Sequence, residues 1–515
     1  MKPSVLLIGS VLALAALVAA LAWLPTGGTG TPDRTAGTTR SSGAGAGGTG
    51  PKGGKPLLLY CAAGIRKPVE AAARAYEREY GVRVQLQFGG SQTLLANAKL
   101  TGTADLYVPA DESYMDLARG EGLLAESAPV ATMRPVLAVK RGNPRGIRSL
   151  DDLARETVRL GLADPKAAAI GKVVRETLGA TGRWPAIEAR VTVTKPTVND
   201  VATDVQLGTI DAAFVWDVTV RQMGVDLETV AVPELADRVT TVGVGVLRST
   251  SDPTAALHFL RYLSSADKGR PHFADAGFAA APEADRWAES PRLTLYAGAM
   301  LRPAIDDTVT AFERREGVRV DRVYNGCGIL VGQMKVGQRP DAYFACDQSF
   351  MTQVKDLFPS PADVSINQLV ILVPKANPFG IKTLRDLAKP GLRLGVGHEK
   401  QCALGALTEK SLKQSGLYRN VRANVVVESP TGDLLVNQLL TKSLDAVVAY
   451  VSNATGHADE LTALKIDLPC ALATQPLAVS KDSAHRQLAG RLMANLRSAE
   501  SRDRFEAWGF RWSAR

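Results

Sequence analysis

Four short segments in the first half of the chain combine small residues with hydroxyl or amide side chains and include almost no charge. They are Ala62-Ala63-Gly64-Ile65, Gly89-Gly90-Ser91-Gln92, Ala168-Ala169-Ile170-Gly171 and Thr197-Val198-Asn199. The first N–H groups of a helix lack acceptors within it and carry partial positive charge, and small residues allow a ligand to approach them. One such segment alone is more simply a turn or an N-cap. Four in one domain favour the binding of a compact oxyanion, with the Ser91 hydroxyl as a further donor.

Predicted strands and helices alternate around these segments. Residues KPLLLYCAA form a short apolar run of the kind expected for a buried parallel strand. After Pro68, the apolar residues Val69, Ala73, Tyr76 and Tyr80 fall on one face of a predicted helix. The next segment, VRVQLQF, alternates with a period of two and predicts a strand. This order predicts an α/β fold with mainly parallel sheets, in which ligands bind beyond the carboxyl ends of the strands.

The chain contains this arrangement twice. Residues 84–113 (VQLQFGGSQTLLANAKLTGTADLYVPADES) and 320–349 (VDRVYNGCGILVGQMKVGQRPDAYFACDQS) align without a gap at a separation of 236 positions. Further along the chain the separation is 234, as Asn143-Pro144 and Asn377-Pro378 show. A repeat of about 230 residues indicates a duplicated domain and not a solenoid. We predict a first domain at 56–287 and a second domain at 288–515.

The N-terminal residues predict export. After Lys2, residues 4–24 carry no charge and are long enough to cross a bilayer, and Ala20-Leu21-Ala22 suits a signal peptidase. A cleaved signal peptide and a retained membrane anchor at 1–25 both remain open. Residues 26–55, rich in Gly, Thr and Ser, predict a flexible linker. We therefore expect a periplasmic or otherwise extracytoplasmic protein, anchored by the apolar segment if that segment is retained.

Composition and motifs argue against several classes of function. The 515 residues carry a formal charge of +9, but basic and acidic residues alternate and no long Lys/Arg run occurs, so nucleic acid is not an expected partner. The sequence has no His-Glu-x-x-His, Cys-x-x-Cys, phosphate-binding Gly-Lys-Ser/Thr or Gly-x-Ser-x-Gly motif. We predict that the protein is not an enzyme and that it uses no cofactor.

Several motifs point to one family. The chain contains LLLYCAAGIRKPVEAAARAYE, FGGSQTLL followed by GTADLYVPAD, GLADPKAAAIGK and LGTIDAAFVWD. With these it resembles the molybdate-binding proteins of bacterial ABC importers, within the type II periplasmic solute-binding proteins, over residues 57–278 and 293–512. The resemblance implies an α/β fold with a tandem pair of such domains. Each domain would have two lobes, mixed and mainly parallel sheets, and a ligand cleft between the lobes.

The resemblance also implies ligand-binding residues and partners. In the first domain the positions implied are Gly64, Ile65, Ser91, Ile170, Val198 and Trp216. The family has Ser where this chain has Gly64, and Tyr where it has Trp216, whose indole N–H can still donate. The family implies molybdate, tungstate or a similar tetrahedral oxyanion as ligand and a membrane-bound ABC permease as partner. We expect a monomer.

The second domain departs from the family at its hydroxyl positions. Its equivalents are Met300, Cys327, Leu404, Gly432 and Tyr450, and only the tyrosine is retained. Three interpretations remain open. Cys327 and Cys402 could form a disulfide across the cleft, or sulfur could fill space in a domain that is now a scaffold. Alternatively, Met300, Cys327 and Cys402, together with His398, could bind a soft metal ion.

The function predicted from the sequence is that of the extracytoplasmic solute-binding component of an ABC importer. Two alternatives use the same fold. The cysteines of the second domain could make the protein soft-metal-binding or responsive to thiol oxidation. A membrane-tethered sensor or scaffold without a transport role is the other alternative.

Overall fold

The computed structural model describes residues 54–514. The predicted signal peptide or anchor at 1–25 and nearly all of the predicted linker lie outside the described residues. Within residues 54–514, no helix is both long enough and apolar enough to cross a membrane.

The first domain begins with a strand, and strands and helices alternate along most of its length. Its strands are β1 (Leu57–Ala62), β2 (Val84–Gly89), β3 (Leu106–Val108), β4 (Leu124–Met133), β5 (Pro135–Lys140), β6 (Leu160–Ala163), β7 (Val191–Lys195), β8 (Ala212–Trp216), β9 (Leu227–Val230), β10 (Thr240–Leu247) and β11 (Ala279–Ala280). Its helices are α1 (Arg66–Tyr80), α2 (Ser91–Thr101), α3 (Ser113–Gly120), α4 (Ala169–Ala180), α5 (Trp184–Glu188), α6 (Val198–Leu207), α7 (Asp217–Gln222), α8 (Pro233–Ala236), α9 (Pro253–Ser264) and α10 (Gly269–Asp275). Short 3-10 helices lie at Ala63–Ile65, Asp151–Ala154 and Gly224–Asp226.

These strands form two sheets, one in each lobe. The six-stranded sheet of lobe 1 has the order β11-β4-β10-β3-β1-β2, and the five-stranded sheet of lobe 2 has the order β7-β6-β8-β5-β9. In lobe 1, β1 pairs in parallel with β2 and β3, and in lobe 2, β6 pairs in parallel with β7 and β8. Antiparallel pairs involve β10 in lobe 1 and β5 in lobe 2. The sheets are therefore mixed, and the carboxyl ends of β1, β2, β6, β7 and β8 lead into the segments that the sequence singled out.

The second domain repeats this order. Its strands are β12 (Arg292–Gly298), β13 (Arg319–Asn325), β14 (Ala342–Phe344), β15 (Ala362–Pro374), β16 (Leu394–Gly397), β17 (Val425–Ser429), β18 (Ala446–Tyr450), β19 (Leu461–Lys465), β20 (Leu472–Val479) and β21 (Arg511–Trp512). Its helices are α11 (Arg302–Glu316), α12 (Cys327–Lys335), α13 (Gln348–Thr352), α14 (Ala403–Gln414), α15 (Tyr418–Arg422), α16 (Gly432–Leu440), α17 (Val451–Ala454), α18 (Arg486–Leu496) and α19 (Ala499–Ala507). Short 3-10 helices lie at Ala299–Leu301, Leu384–Ala388 and Pro469–Ala471.

One continuous strand joins the two lobes of the second domain. The first half of β15 pairs with β20, and its second half pairs with β18 and β19, so ten strands form one connected sheet. In the first domain the same crossing is divided between β4 and β5, which Arg134 separates. Both domains therefore have the two-lobed α/β fold predicted from the sequence.

The predicted helix after the first strand is confirmed. Helix α1 begins at Arg66, two residues before Pro68, and buries Val69, Ala73 and Tyr76 as the apolar spacing indicated. It ends at Gly81, which has a φ of 70° and closes the helix in the left-handed conformation that glycine accepts most readily.

Each domain has its own hydrophobic core. Buried apolar residues form one cluster between residues 57 and 278 and a second cluster between 293 and 510. Trp287 packs against the first cluster, and β12 begins at Arg292. We propose that the domains divide at 287/288, between these two cores.

A buried ionic cluster joins the two domains. Glu316, at the end of α11, is 1% exposed and accepts two hydrogen bonds from Arg491 on α18, at 2.6 and 3.0 Å. Arg261, on α9 of the first domain, donates to the carboxylate of Glu316 at 3.1 Å and to its carbonyl oxygen at 2.5 Å. Nearby, Arg315 pairs with Glu126 of β4 at 2.7 Å. The junction is therefore a desolvated network of charges that spans both domains.

Candidate functional site

The predicted segments of the first domain meet in one small cavity between the lobes. It has a volume of about 230 Å³ and is lined by Ala62, Ala63, Gly64, Gly89, Gly90, Ser91, Ala110, Ala168, Ala169, Ile170, Thr197, Val198 and Trp216. Small side chains form most of its wall, so the cavity suits a compact ligand. Among the described residues that line it, none is charged.

Three helices begin at the wall of this cavity. Helix α2 starts at Ser91 after Gly90, and helix α4 starts at Ala169 after Ala168; neither preceding residue caps its helix with a side chain. Helix α6 starts at Val198, and the hydroxyl of Thr197 caps only the N–H of Asp200. The first N–H groups of all three helices therefore lack acceptors within their own helices. Small preceding residues leave them open to a ligand.

Ser91 is held with its hydroxyl hydrogen available. Its side chain is 1% exposed, and its Oγ accepts a hydrogen bond from the Ala110 N–H at 3.1 Å. Its carbonyl oxygen accepts a hydrogen bond from the Tyr107 hydroxyl at 2.7 Å. A hydroxyl that already accepts one hydrogen bond can still donate its own hydrogen. Ser91 therefore offers one donor at the start of α2.

The two lobes of the first domain are closed on each other around the cavity. The Gln92 N–H of lobe 1 donates to the Ala167 carbonyl oxygen of lobe 2 at 3.0 Å, and Asn199 Nδ2 of lobe 2 donates to the Ala63 carbonyl oxygen at 2.9 Å. At Gly90 a Cβ would stand 2.5 Å from the Ala167 oxygen. This approach therefore requires glycine, because a side chain would hold the lobes apart.

Two departures from the family pattern occupy the same space. A Cβ on Gly64 would stand 2.9 Å from Val198 Cγ1 and 3.2 Å from Trp216 Cδ1. The indole nitrogen of Trp216 lies 3.6 Å from that position. Val198 and the indole of Trp216 therefore together occupy the space that a side chain at residue 64 would need.

The structure brings together most of the residues predicted for the first site. Gly64, Ser91, Ile170, Val198 and Trp216 line the cavity. Ile65 lies behind the wall in the core and is not among the lining residues. Sequence reasoning missed Ala110, whose N–H holds the Ser91 side chain. Its position at the end of the GTADLYVPAD motif, just beyond a strand, was the available signal.

A second cavity lies at the equivalent place in the second domain. It has a volume of about 260 Å³ and is lined by Ala299, Met300, Asn325, Gly326, Cys346, Cys402, Ala403, Leu404, Pro430, Thr431, Gly432 and Tyr450. The main-chain contact between the lobes is the same, because the Gly328 N–H donates to the Gln401 carbonyl oxygen at 2.9 Å. The closed arrangement of the lobes is thus common to both domains.

Cys327 takes over the structural contact of Ser91. Its sulfur accepts a hydrogen bond from the Cys346 N–H at 3.0 Å, as Ser91 accepts one from Ala110. Cys327 is completely buried and, unlike Met300, Leu404, Gly432 and Tyr450, is not among the residues that line the cavity.

The cysteines of the second domain form neither a disulfide nor a metal cluster. All five cysteines of the chain lie within the described residues and are free thiols, so the Cys327–Cys402 disulfide is not formed. In residues 54–514, no group of three or more His, Cys, Asp and Glu side chains could hold a metal ion. His398 Nδ1 accepts a hydrogen bond from the Lys400 N–H at 3.2 Å. The soft-metal interpretation therefore gains no support from the arrangement of these side chains.

The second cavity has a softer and more acidic surrounding than the first. Burial raises the pKa of the Cys402 thiol to about 11, and the Cys327 sulfur together with burial holds the pKa of Cys346 well above its ordinary value. Both thiols are therefore protonated at neutral pH and donate only weakly. Beside the cavity, Asp433 occupies the position of Asn199 and accepts a hydrogen bond from Asn453 at 2.7 Å. The buried Tyr450 hydroxyl has no partner within residues 54–514.

Comparisons with known proteins agree with this architecture. A family model described as bacterial extracellular solute-binding protein matches residues 57–279 and again residues 293–511. The molybdate-binding protein ModA of Mycobacterium bovis is 29% identical over 230 residues, which cover 44% of this chain and 86% of that protein.

Two solved structures align with less than half of this chain. The periplasmic molybdate-binding protein of Azotobacter vinelandii aligns with a TM-score of 0.38 and 16% identity, covering 44% of this chain and 100% of that chain. The sulfate-binding protein SubI of Mycobacterium tuberculosis aligns with a TM-score of 0.36 and 16% identity, covering 42% of this chain and 86% of that chain. Because the family model matches most of the chain in two successive copies, this chain belongs to the bacterial extracellular solute-binding proteins.

Proposed function

We propose that the first domain captures a tetrahedral oxyanion of the molybdate type outside the cytoplasm and delivers it to the permease of an ABC importer. The observation that carries this proposal is the closed, uncharged cavity at the starts of α2, α4 and α6. The similarity to a molybdate-binding protein supports the choice of anion.

Helix starts can stabilise an anion here without a cation. Each helix N-terminus contributes typically 0.3–1 kcal/mol toward an anion, and up to about 2 kcal/mol in a partly buried geometry. The free N–H groups at Ser91, Ile170 and Val198 come from both lobes, so an oxyanion between them would stabilise the closed form. Hydrogen bonds to a charged group contribute about 1.5–3 kcal/mol each, which makes the Ser91 hydroxyl a measurable part of the affinity.

We assign the oxyanion to the first domain and not to the second. Cys327 replaces the Ser91 hydroxyl by a weaker donor that, unlike Ser91, does not line its cavity. Asp433 replaces Asn199 beside the cavity and adds an acidic group that opposes an anion. The second domain therefore keeps one side-chain donor, the Tyr450 hydroxyl, but lacks the serine hydroxyl and has a carboxyl group beside its cavity.

Calorimetric titration of the full chain with molybdate, tungstate and sulfate tests the proposal. The informative variant is Ser91→Cys. The Cys327–Cys346 contact shows that a sulfur at this position can still accept the N–H of the facing residue. Ser91→Cys should therefore keep the fold but weaken binding by about 10- to 150-fold, because a strong donor to the anion is lost.

Cys327→Ser is the matched control, since it makes the reverse exchange in the other domain. It should leave the affinity of the first site unchanged. The proposal is wrong if none of the three anions binds to the full chain, or if Ser91→Cys binds as tightly as the unaltered protein.

A further inference from the structure

A series of polar contacts connects the two lobes of the first domain outside the cavity. Lys172, on α4 of lobe 2, donates from Nζ to the Ser113 hydroxyl of lobe 1 at 2.5 Å. Its Nζ also lies 4.9 Å from the centre of the Tyr114 ring of lobe 1. The Lys172 side chain is only 17% exposed, so both contacts are partly shielded from solvent.

The polar contacts continue from Ser113 to the segment that connects the two lobes. The Ser113 hydroxyl donates to the carboxylate of Asp111, whose side chain is 1% exposed. The same carboxylate accepts a hydrogen bond from Arg238 at 3.2 Å and from the Thr240 hydroxyl at 3.1 Å. Arg238 and Thr240 belong to the segment that returns from lobe 2 to lobe 1 through β10. These polar contacts therefore connect lobe 2 to lobe 1 and to the segment that joins the two lobes.

The Lys172–Ser113 contact is close in sequence and in space to the start of α4, which lines the cavity. Helix α4 begins at Ala169, and the N–H groups of its first turn face the cavity, while Lys172 lies one turn further along the same helix. Any opening of the cleft that withdraws the α4 start from a ligand must also separate Lys172 from Ser113. Neither Lys172 nor Ser113 lines the cavity, so their contact can act on closure without touching the ligand.

The second domain lacks this connection although its lobes are also closed. Ala406 stands at the position of Lys172. In β20, Ala473 occupies the register of Thr240, since Ala473 pairs with Asn367 as Thr240 pairs with the equivalent Met133. In the described part of the second domain, the Asp347 carboxylate bonds only to Ser349 next to it. The connection is therefore a property of the first domain and not of the fold.

We propose that Lys172, Ser113, Asp111 and Arg238 form a closure latch that holds an anion in the first domain by slowing the opening of the lobes. They are positioning residues, because they act through the lobes and not on the ligand. The inference rests on the proposed function for the identity of the ligand, whereas the contacts of the latch involve only residues of the protein.

Hydrogen exchange of the full chain without added anion tests the latch independently of the ligand. In Lys172→Met, the amides at 89–95 and 167–171 should exchange roughly tenfold faster than in the unaltered protein, since a charge-assisted contact that closes the lobes is lost. Amides of the second cleft should not change. Lys195→Met is the matched control, because Lys195 loses a bridge to Asp204 at 3.1 Å that lies entirely within lobe 2.

Binding kinetics then connect the latch to retention. With molybdate, Lys172→Met should raise the dissociation rate about tenfold and leave the association rate equal to that of Lys195→Met, which has the same net charge. Ser113→Ala should give a similar increase, and the double variant should add little to either single change. Equal hydrogen exchange in the Lys172→Met and Lys195→Met proteins would overturn the latch, whether or not any anion binds.

Discussion

The ionic cluster between the domains gives the sharpest stability prediction. Glu316 is the only carboxylate within hydrogen-bonding distance of both Arg261 and Arg491 in the described structure, and all three side chains are at least nine-tenths buried. Glu316→Gln keeps the volume but removes the carboxylate that is hydrogen-bonded to two guanidinium groups in a desolvated site. Removing one partner of a buried ion pair typically costs about 3–5 kcal/mol, and that is the loss of unfolding free energy we expect.

Urea denaturation of the full chain, followed by tryptophan fluorescence, measures this loss. Trp287 contacts the rings of Tyr80, His258 and Tyr262 close to the junction and can report on it. Asp116→Asn is the control, because Asp116 is 73% exposed and its pair with Arg119 should contribute less than about 1 kcal/mol.

The contribution of the Glu316 carboxylate to the unfolding free energy should also depend on pH. Although burial opposes its charge, Arg491 and Arg261 hold the pKa of Glu316 below its usual range. A carboxyl with a lowered pKa in the fold contributes stability that is present above its unfolded pKa, near 4.3, and that is lost as pH falls through the folded value. The reasoning is refuted if Glu316→Gln loses no more stability at pH 7 than Asp116→Asn does.

Two further predictions concern the first cleft and the first core. Gly64→Ser should weaken anion binding because its Cβ would crowd Val198 and Trp216, and adding Trp216→Tyr should restore part of the affinity. A calorimetric double-variant cycle measures the coupling between the two substitutions, and independent effects would contradict the packing argument. Burial and Arg261 lower the pKa of His258 to about 3. Between pH 6.5 and pH 3, His258 therefore binds a proton in the unfolded chain but not in the folded protein. Unfolding free energy should therefore fall by up to roughly 1.4 kcal/mol per pH unit between pH 6.5 and pH 3, and His258→Gln should flatten that slope in urea denaturation.

The sequence was sufficient for the features that depend on local pattern. The apolar spacing after Pro68 predicted α1, and the duplicated motif predicted two domains of one fold. The segments at Gly64, Ser91, Ile170 and Val198 were predicted to share a cleft because parallel strands end at one edge of a sheet, and they do line one cavity. These inferences need only hydrophobic periodicity and the small side chains at the junctions.

Contacts between distant residues could not be predicted in this way. Glu316 ends a helix that contains several charges, and nothing in its neighbours distinguishes it from a solvated residue, yet its partners lie 55 and 175 positions away. The crowding of Gly64 by Trp216 depends on how closely the lobes approach. The disulfide considered for Cys327 failed for a similar reason, because the Cys327 sulfur points toward the Cys346 N–H of its own lobe.

The two domains separate what the fold imposes from what the ligand requires. Closure by the main chain is common to both, since Gln92 and Gly328 donate across their clefts to equivalent carbonyl groups. The polar side chains differ, because only the first domain has the Ser91 hydroxyl and the Lys172 contact. A backbone that closes both clefts cannot by itself select an anion for one of them. If the first domain binds the proposed anion and the second does not, side chains account for the difference, and for this reason exchanging Ser91 and Cys327 is a more informative test than deleting either domain.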